Sequence, residues 1–134
     1  MNESNALQAM VVTRLKADAA VTAIVGQKVY DKPPASVAAP YVSIGPSDYV
    51  PDDADCVDGR IETLQLDCWS QAQDGQREVK ELTGAVKKSL HRYAGSLAVG
   101  ALTSLEVVQV RHLEDPDGIT LHGIVVVEAM IEEA

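Results

Sequence analysis

Phenylalanine is absent from the 134 residues, and four tyrosines and one tryptophan make up the whole aromatic content of 4%. An interior without large rings has to be filled by the Val, Leu, Ile and Ala that supply most of the 46% hydrophobic content. Aliphatic and β-branched side chains pack well on a pleated surface, so a sheet covered by helices is the expected solution. Cysteine is scarce too: Cys56 and Cys68 fit no zinc spacing and are too few for a disulfide framework. Cys68 alternates with Leu64 and Leu66 and reads as a small buried apolar residue, while Cys56 falls in a polar stretch.

Positive charge is also in short supply. Eleven Lys and Arg against twenty Asp and Glu leave a formal charge of −9, which opposes any grip on nucleic acid that relies on displacing counterions from phosphates. Hydrophobic runs are short and broken by charge, so no transmembrane helix is expected. The first ten residues lack the basic-then-apolar layout of a signal peptide. These absences predict a soluble protein of a reducing cytoplasm. The length suits one domain, residues 1–134, that buries roughly two thirds of its unfolded surface.

What is present is periodic. Leu7, Met10, Val11 and Leu15 lay an apolar stripe along a first helix with Ser4 as its expected cap. Asp18 caps a second, shorter helix carrying Val21, Ile24 and Val25, and Gly26 stops it. The pair has too few basic groups, Arg14 and Lys16, for a DNA-reading helix-turn-helix. Lys28 to Asp31 is β-like, Pro33 to Ala39 is irregular, and Tyr41 to Ile44 begins a strand just after Pro40. Pro46, Pro51 and the run of aspartates mark Ser47 to Gly59 as a loop or hairpin tip. Leu64, Leu66 and Cys68 then alternate with Thr63, Gln65, Asp67 and Trp69, the pattern of a strand with one face in the core.

Asp74 and Gly75 introduce the longest helix, with Val79, Leu82, Val86 and Leu90 on one face. Glu78 and Glu81 lie in its early turns and Lys87, Lys88, His91 and Arg92 at its end, as the helix dipole favours. Gly95 and Gly100 bracket a weakly apolar connection. The last third is a hairpin, Leu105 to Leu113 and Ile119 to Ile131, around the turn Asp115-Pro116-Asp117-Gly118. In its second arm Ile119, Leu121, Val125, Val127, Ala129 and Ile131 share one wholly apolar face with Gly123. The other face mixes Ile124, Val126 and Met130 with Thr120, His122 and Glu128, which fits a central strand or one covered by a neighbouring subunit. Two helices, three strands, one helix and two strands make an α+β fold, a mostly antiparallel β-sheet packed by helices.

Chemistry is hard to find. Asp52, Asp53, Asp55 and Asp58 could attract a divalent cation, but their spacing is not that of a calcium loop, and they read as a solvated acidic loop. His112 and His122 lie on the two arms of the hairpin and could approach across it, yet two histidines without a third ligand make a poor metal site. No serine stands in a nucleophile elbow, neither cysteine has an activating setting, and no glycine-rich phosphate loop occurs. Catalytic residues, cofactor and metal are therefore all expected to be absent. Lys80, Lys87, Lys88 and Arg92 form a solvated or subunit-facing surface. Trp69, opposite Leu64, Leu66 and Cys68, belongs either to an interface or to a second core.

An ordered set of landmarks resembles the small tail-completion proteins of long-tailed phages and gene transfer agents, the tail-terminator and tail-to-head joining family. They are Leu7-Gln8-Ala9 and Arg14 to Ala20, Gly26-Gln27-Lys28-Val29-Tyr30-Asp31, Ala39-Pro40-Tyr41-Val42-Ser43-Ile44-Gly45, Leu66-Asp67-Cys68-Trp69-Ser70, Glu81-Leu82 through Leu90-His91, Leu113 to Gly118, and Leu121-His122-Gly123. Ser47 to Gly59 departs from the family pattern. The resemblance implies a tail-terminator-like fold and a homo-hexameric ring at the head-proximal end of the tail tube. It also implies contacts with the tail tube protein and the head-tail connector protein, DNA passing through without specific binding, and no membrane. Six copies at −9 would carry roughly −54, a field that discourages sticking to phosphate. Asp52, Asp53, Asp55 and Asp58 are expected at the lumen or rim, and Trp69, Ile124, Val126 and Met130 at the subunit interface. The alternatives are a cytoplasmic adaptor or ligand-binding α+β domain, or a metal-dependent enzyme on the aspartates or His112 and His122.

Overall fold

The computed structural model describes residues 1–71, 73 and 75–134. Its elements follow the expected order: α1 (Glu3–Ala17), α2 (Ala19–Val25), β1 (Val29–Tyr30), β2 (Tyr41–Pro51), β3 (Gly59–Gln71), α3 (Arg77–Leu90), β4 (Ala101–Glu114) and β5 (Thr120–Glu132). The strands form one sheet in the order β1-β2-β3-β5-β4, antiparallel except for the short parallel pairing of β1 with β2. The fold is thus α+β with a mostly antiparallel sheet.

The period-two and period-3.6 patterns meet in one aliphatic core. Leu7, Val11 and Leu15 of α1, Val21 and Val25 of α2, and Leu82, Val86 and Leu90 of α3 are buried against Leu64, Leu66 and Cys68 of β3 and Val125, Val127, Ala129 and Ile131 of β5. Each Val, Leu or Ile among them contributes about 1.5–3 kcal/mol on burial. β5 lies between β3 and β4, so the last strand of the chain is central in the sheet.

Three local expectations change. Ser4 lies inside α1, and the cap is Asn2, whose side chain accepts the Asn5 N–H. Ser4 instead donates its hydroxyl to Glu62 at 3.0 Å. Ser47 to Pro51 is not loop but the second half of β2. A bulge between Ile44 and Ser47 accommodates Pro46, which has no N–H to offer the ladder, and pairing resumes at Ser47 with Leu64. The loop proper is 52–58, closed by a bridge between Ala54 and Val57 with Cys56 at φ 65°. Asp74, expected at the start of α3, lies outside the described residues. α3 begins at Arg77 with Gln76 in the capping position and no side-chain hydrogen bond there. Asp18 caps α2 by accepting from Ala20 and Val21, and Gly26 ends it at φ 63°.

Helix α3 approaches the sheet closely at Gly123. A Cβ there would lie 2.5 Å from Thr83 Cγ2, 3.0 Å from Val79 Cγ2 and 3.3 Å from Cys68 Cβ. Two of these neighbours are β-branched side chains of α3 and the third is on the adjacent strand, so none can swing aside. Gly123→Ala should therefore force α3 off the sheet and destabilise the fold by about 1–3 kcal/mol. Urea unfolding measures it, and an unchanged midpoint would show that this contact does not set the helix position.

Candidate functional site on the open face of the sheet

α1, α2 and α3 pack on the side of Leu64, Leu66 and Cys68, so strand alternation leaves a second face that none of these helices covers. Cross-strand pairing arranges that face in rows. At one end Tyr41, Trp69, His122 and Leu113 stand side by side, followed by Ser43, Asp67, Ile124 and Arg111. Gln65, Val126 and Gln109 come next, then Asp48, Thr63, Glu128 and Glu106. Val50, Ile61, Met130 and Ser104 make the last row. Apolar or aromatic groups thus mark both ends and polar groups the middle.

The first two rows are tied together. The Trp69 ring stacks on His122 at 4.0 Å between centroids and 11° between planes, and Tyr41 stacks beyond it at 6.3 Å. Trp69 Nε1 donates to Ser43 Oγ at 3.0 Å. Asp67 Oδ1 lies 2.6 Å from His122 Nε2 and accepts from Gln65 Nε2 at 2.8 Å. The Trp69 ring is half-buried in this polar and aromatic lattice. Of the residues expected at an interface, Trp69 and Val126 are half-buried and Met130 is 39% exposed. Ile124, at 8% exposed, has little surface left to give.

His112 and His122 do not come together. His122 pairs with Leu113 and His112 with Gly123, so their side chains leave opposite faces of the sheet. His112 Nε2 reaches Thr83 Oγ1 at 2.9 Å beneath α3. His91, at the end of α3, accepts the Val107 N–H on Nδ1 at 3.0 Å. Among the described residues no group of three or more His, Cys, Asp or Glu side chains is arranged to hold a metal ion. Both cysteines are free, and burial, then the Asp67 charge, pushes the Cys68 thiol far above its ordinary value. Among the described residues no helix is long and apolar enough to cross a membrane.

Asp52, Asp53, Asp55 and Asp58 are exposed on the loop joining β2 to β3, where Asp53 Oδ1 accepts the Gly59 N–H at 3.0 Å. Beside this loop lies a cluster that sequence reasoning missed. Arg60, 6% exposed, bonds Glu62 and Glu133, approaches Glu3 at 3.9 Å, and lies 3.8 Å from the centre of the Tyr49 ring. Burial opposes its charge, but the Glu133 and Glu62 carboxylates outweigh that and hold the guanidinium above its ordinary value. The signal was available: Arg60 and Glu62 share the inward parity of Leu64 and Leu66, where unpaired charges would be costly.

The fold defines a class, a two-layer α+β subunit with its helices on one face of a five-stranded sheet. The chain belongs to the family described as Tail completion protein gp17, which it matches over residues 9–132. Its role is structural, in tail completion. It is also similar to a chain in the solved structure titled "Virion of native gene transfer agent (GTA) particle", with a TM-score of 0.89 and 28% identity over 96% of each chain. No curated protein sequence matches.

Burial, and then the Lys80 ammonium, hold the His112 imidazole below its ordinary value. The unfolded chain therefore binds a proton that the folded chain refuses between the depressed value and about 6.5. Stability rises with pH through that window and is fully present above it. Unfolding free energy should fall on acidification from about pH 7.5 to about 5.5, by the uptake of less than one proton. His112→Gln should flatten that slope. An equal slope in the variant would assign it to other groups.

Proposed function

We propose that the chain is a virion component of a phage or gene-transfer-agent particle, assembled in the host cytoplasm as a tail terminator or head-to-tail joining subunit. Six copies, each acting as one domain over 1–134, form a ring at the head-proximal end of the tail tube. There they meet the tail tube protein on one side and the head-tail connector protein on the other, and DNA passes through without specific contact. The subunit performs no catalysis. The observation that carries this reading is the uncovered sheet face with its apolar rows at both ends, in a member of a tail-completion family. Trp69, Val126 and Met130, with the nearly buried Ile124 behind them, contribute to the subunit interface. Asp52, Asp53, Asp55 and Asp58 project from a sheet end and face the lumen or an exposed rim, where acidic groups repel passing phosphate.

Deleting the gene should leave filled heads beside unjoined tails or tails of irregular length in electron micrographs, and restoring it should cure both. Normal particles from the deletion strain would refute the proposal. Changing the four aspartates together to asparagine should leave particles joined while lowering DNA delivery. Unjoined particles from that variant would instead place the loop in a protein contact.

A further inference from the structure

Two features of the chain have no explanation within it. On the open face, Glu106 of β4 and Glu128 of β5 are direct cross-strand partners. Like charges so placed repel, and among the described residues neither has an ion-pair partner. Asp48 lies in the same row, and Glu132 follows two residues after Met130. On the other side of the molecule, Gly84 occupies the middle of α3 on its solvent side. Glycine is the poorest helix former after proline, and a Cβ at Gly84 would meet nothing within 4 Å. No contact inside the chain asks for it.

Gly84 is also the centre of a basic stripe. Lys80, Lys87 and Lys88 stand at four before, three after and four after it, all exposed, and Arg77 precedes them in an ion pair with Glu81. Those spacings put the lysines on one side of the helix around the glycine. Arg77 to Arg92 holds five of the eleven basic residues of a chain whose net charge is −9. Each surface supplies what the other lacks. The carboxylate pair needs external cations, and a helix backbone bared at a glycine lets another surface come close.

We propose that the solvent side of α3, Lys80-Gly84-Lys87-Lys88, docks on the open sheet face of a second copy of this chain, against Glu106 and Glu128. The occupant is a copy of the chain because the complementary surface is already present, on the opposite layer of the same fold. A front-to-back contact of this kind is heterologous, and successive copies related by one rotation form a ring where that rotation closes, as the ring reading requires. The inference rests on the ring reading above and names the surfaces that would make it.

A charge-exchange experiment in complemented particles tests the contact. Lys87→Glu with Lys88→Glu, and separately Glu106→Lys with Glu128→Lys, should each lower the yield of joined particles at least about tenfold. Combining all four changes in one chain should restore the yield. Co-expressing the two double variants should restore it as well, since each then offers the charge its neighbour requires. Gly84→Gln should raise the melting temperature of the isolated subunit by about 3 °C and yet lower the yield, separating folding from docking. Loss in both double variants without restoration by either route would overturn the proposal, because the lysines would then serve another partner such as DNA or the tail tube protein. Full yield from Gly84→Gln or from either double variant would overturn it too. The deletion phenotype is read independently, so the tail-completion reading stands or falls apart from this contact.

Discussion

The seating of α3 on the sheet at Gly123 is the contact on which the remaining architecture depends. With no side chain on that residue, Val79 and Thr83 settle directly against β5 and Cys68 of β3. Leu82, Val86 and Leu90 then fall into the same core as the stripes of α1 and α2. Because the interior has no phenylalanine, this closeness replaces bulk: small β-branched groups fill the space only if the layers meet at short range. One helical layer drawn tightly to one face leaves the other face uncovered, and the polar, aromatic and acidic rows follow from that asymmetry.

Much of the fold was legible in the sequence because single faces are buried and strand and helix periods are hard to mistake. Leu7, Val11 and Leu15, Leu64, Leu66 and Cys68, and Val79, Leu82, Val86 and Leu90 all occupy the core their spacing implies. Misreadings arose where a local signal met a tertiary one. Pro46 announced a loop, but the bulge at Gly45-Pro46 let β3 hold the continuing strand in register. Ser4 looked like a cap, but Glu62 lies across from it and Asn2 does the capping. The histidines looked close in the hairpin, yet the turn sets a register that pairs His112 with Gly123 and His122 with Leu113, which sends them to opposite faces.

The surface was harder to read than the core. Alternation showed that Trp69, Ile124, Val126 and Met130 share a face, but how much of each stays open depends on neighbours four strands wide. Ile124 is nearly buried by its own sheet, whereas Met130 is not. Arg60 was overlooked because its carboxylate partners come from residues 3, 62 and 133, a meeting that only the folded chain arranges. An acidic chain keeps one of its few cations inside, where it joins the start of α1, β3 and the segment after β5.

Trp69 is the only tryptophan in the chain, and it is stacked on His122 at the edge of the surface left uncovered. Excited at the long-wavelength edge, where the four tyrosines do not absorb, the protein therefore emits from one place, and that place borders the face proposed to meet other subunits. The molecule carries its own optical reporter: the colour and brightness of a single indole register whether water or protein lies over the sheet, with no dye attached and no residue replaced.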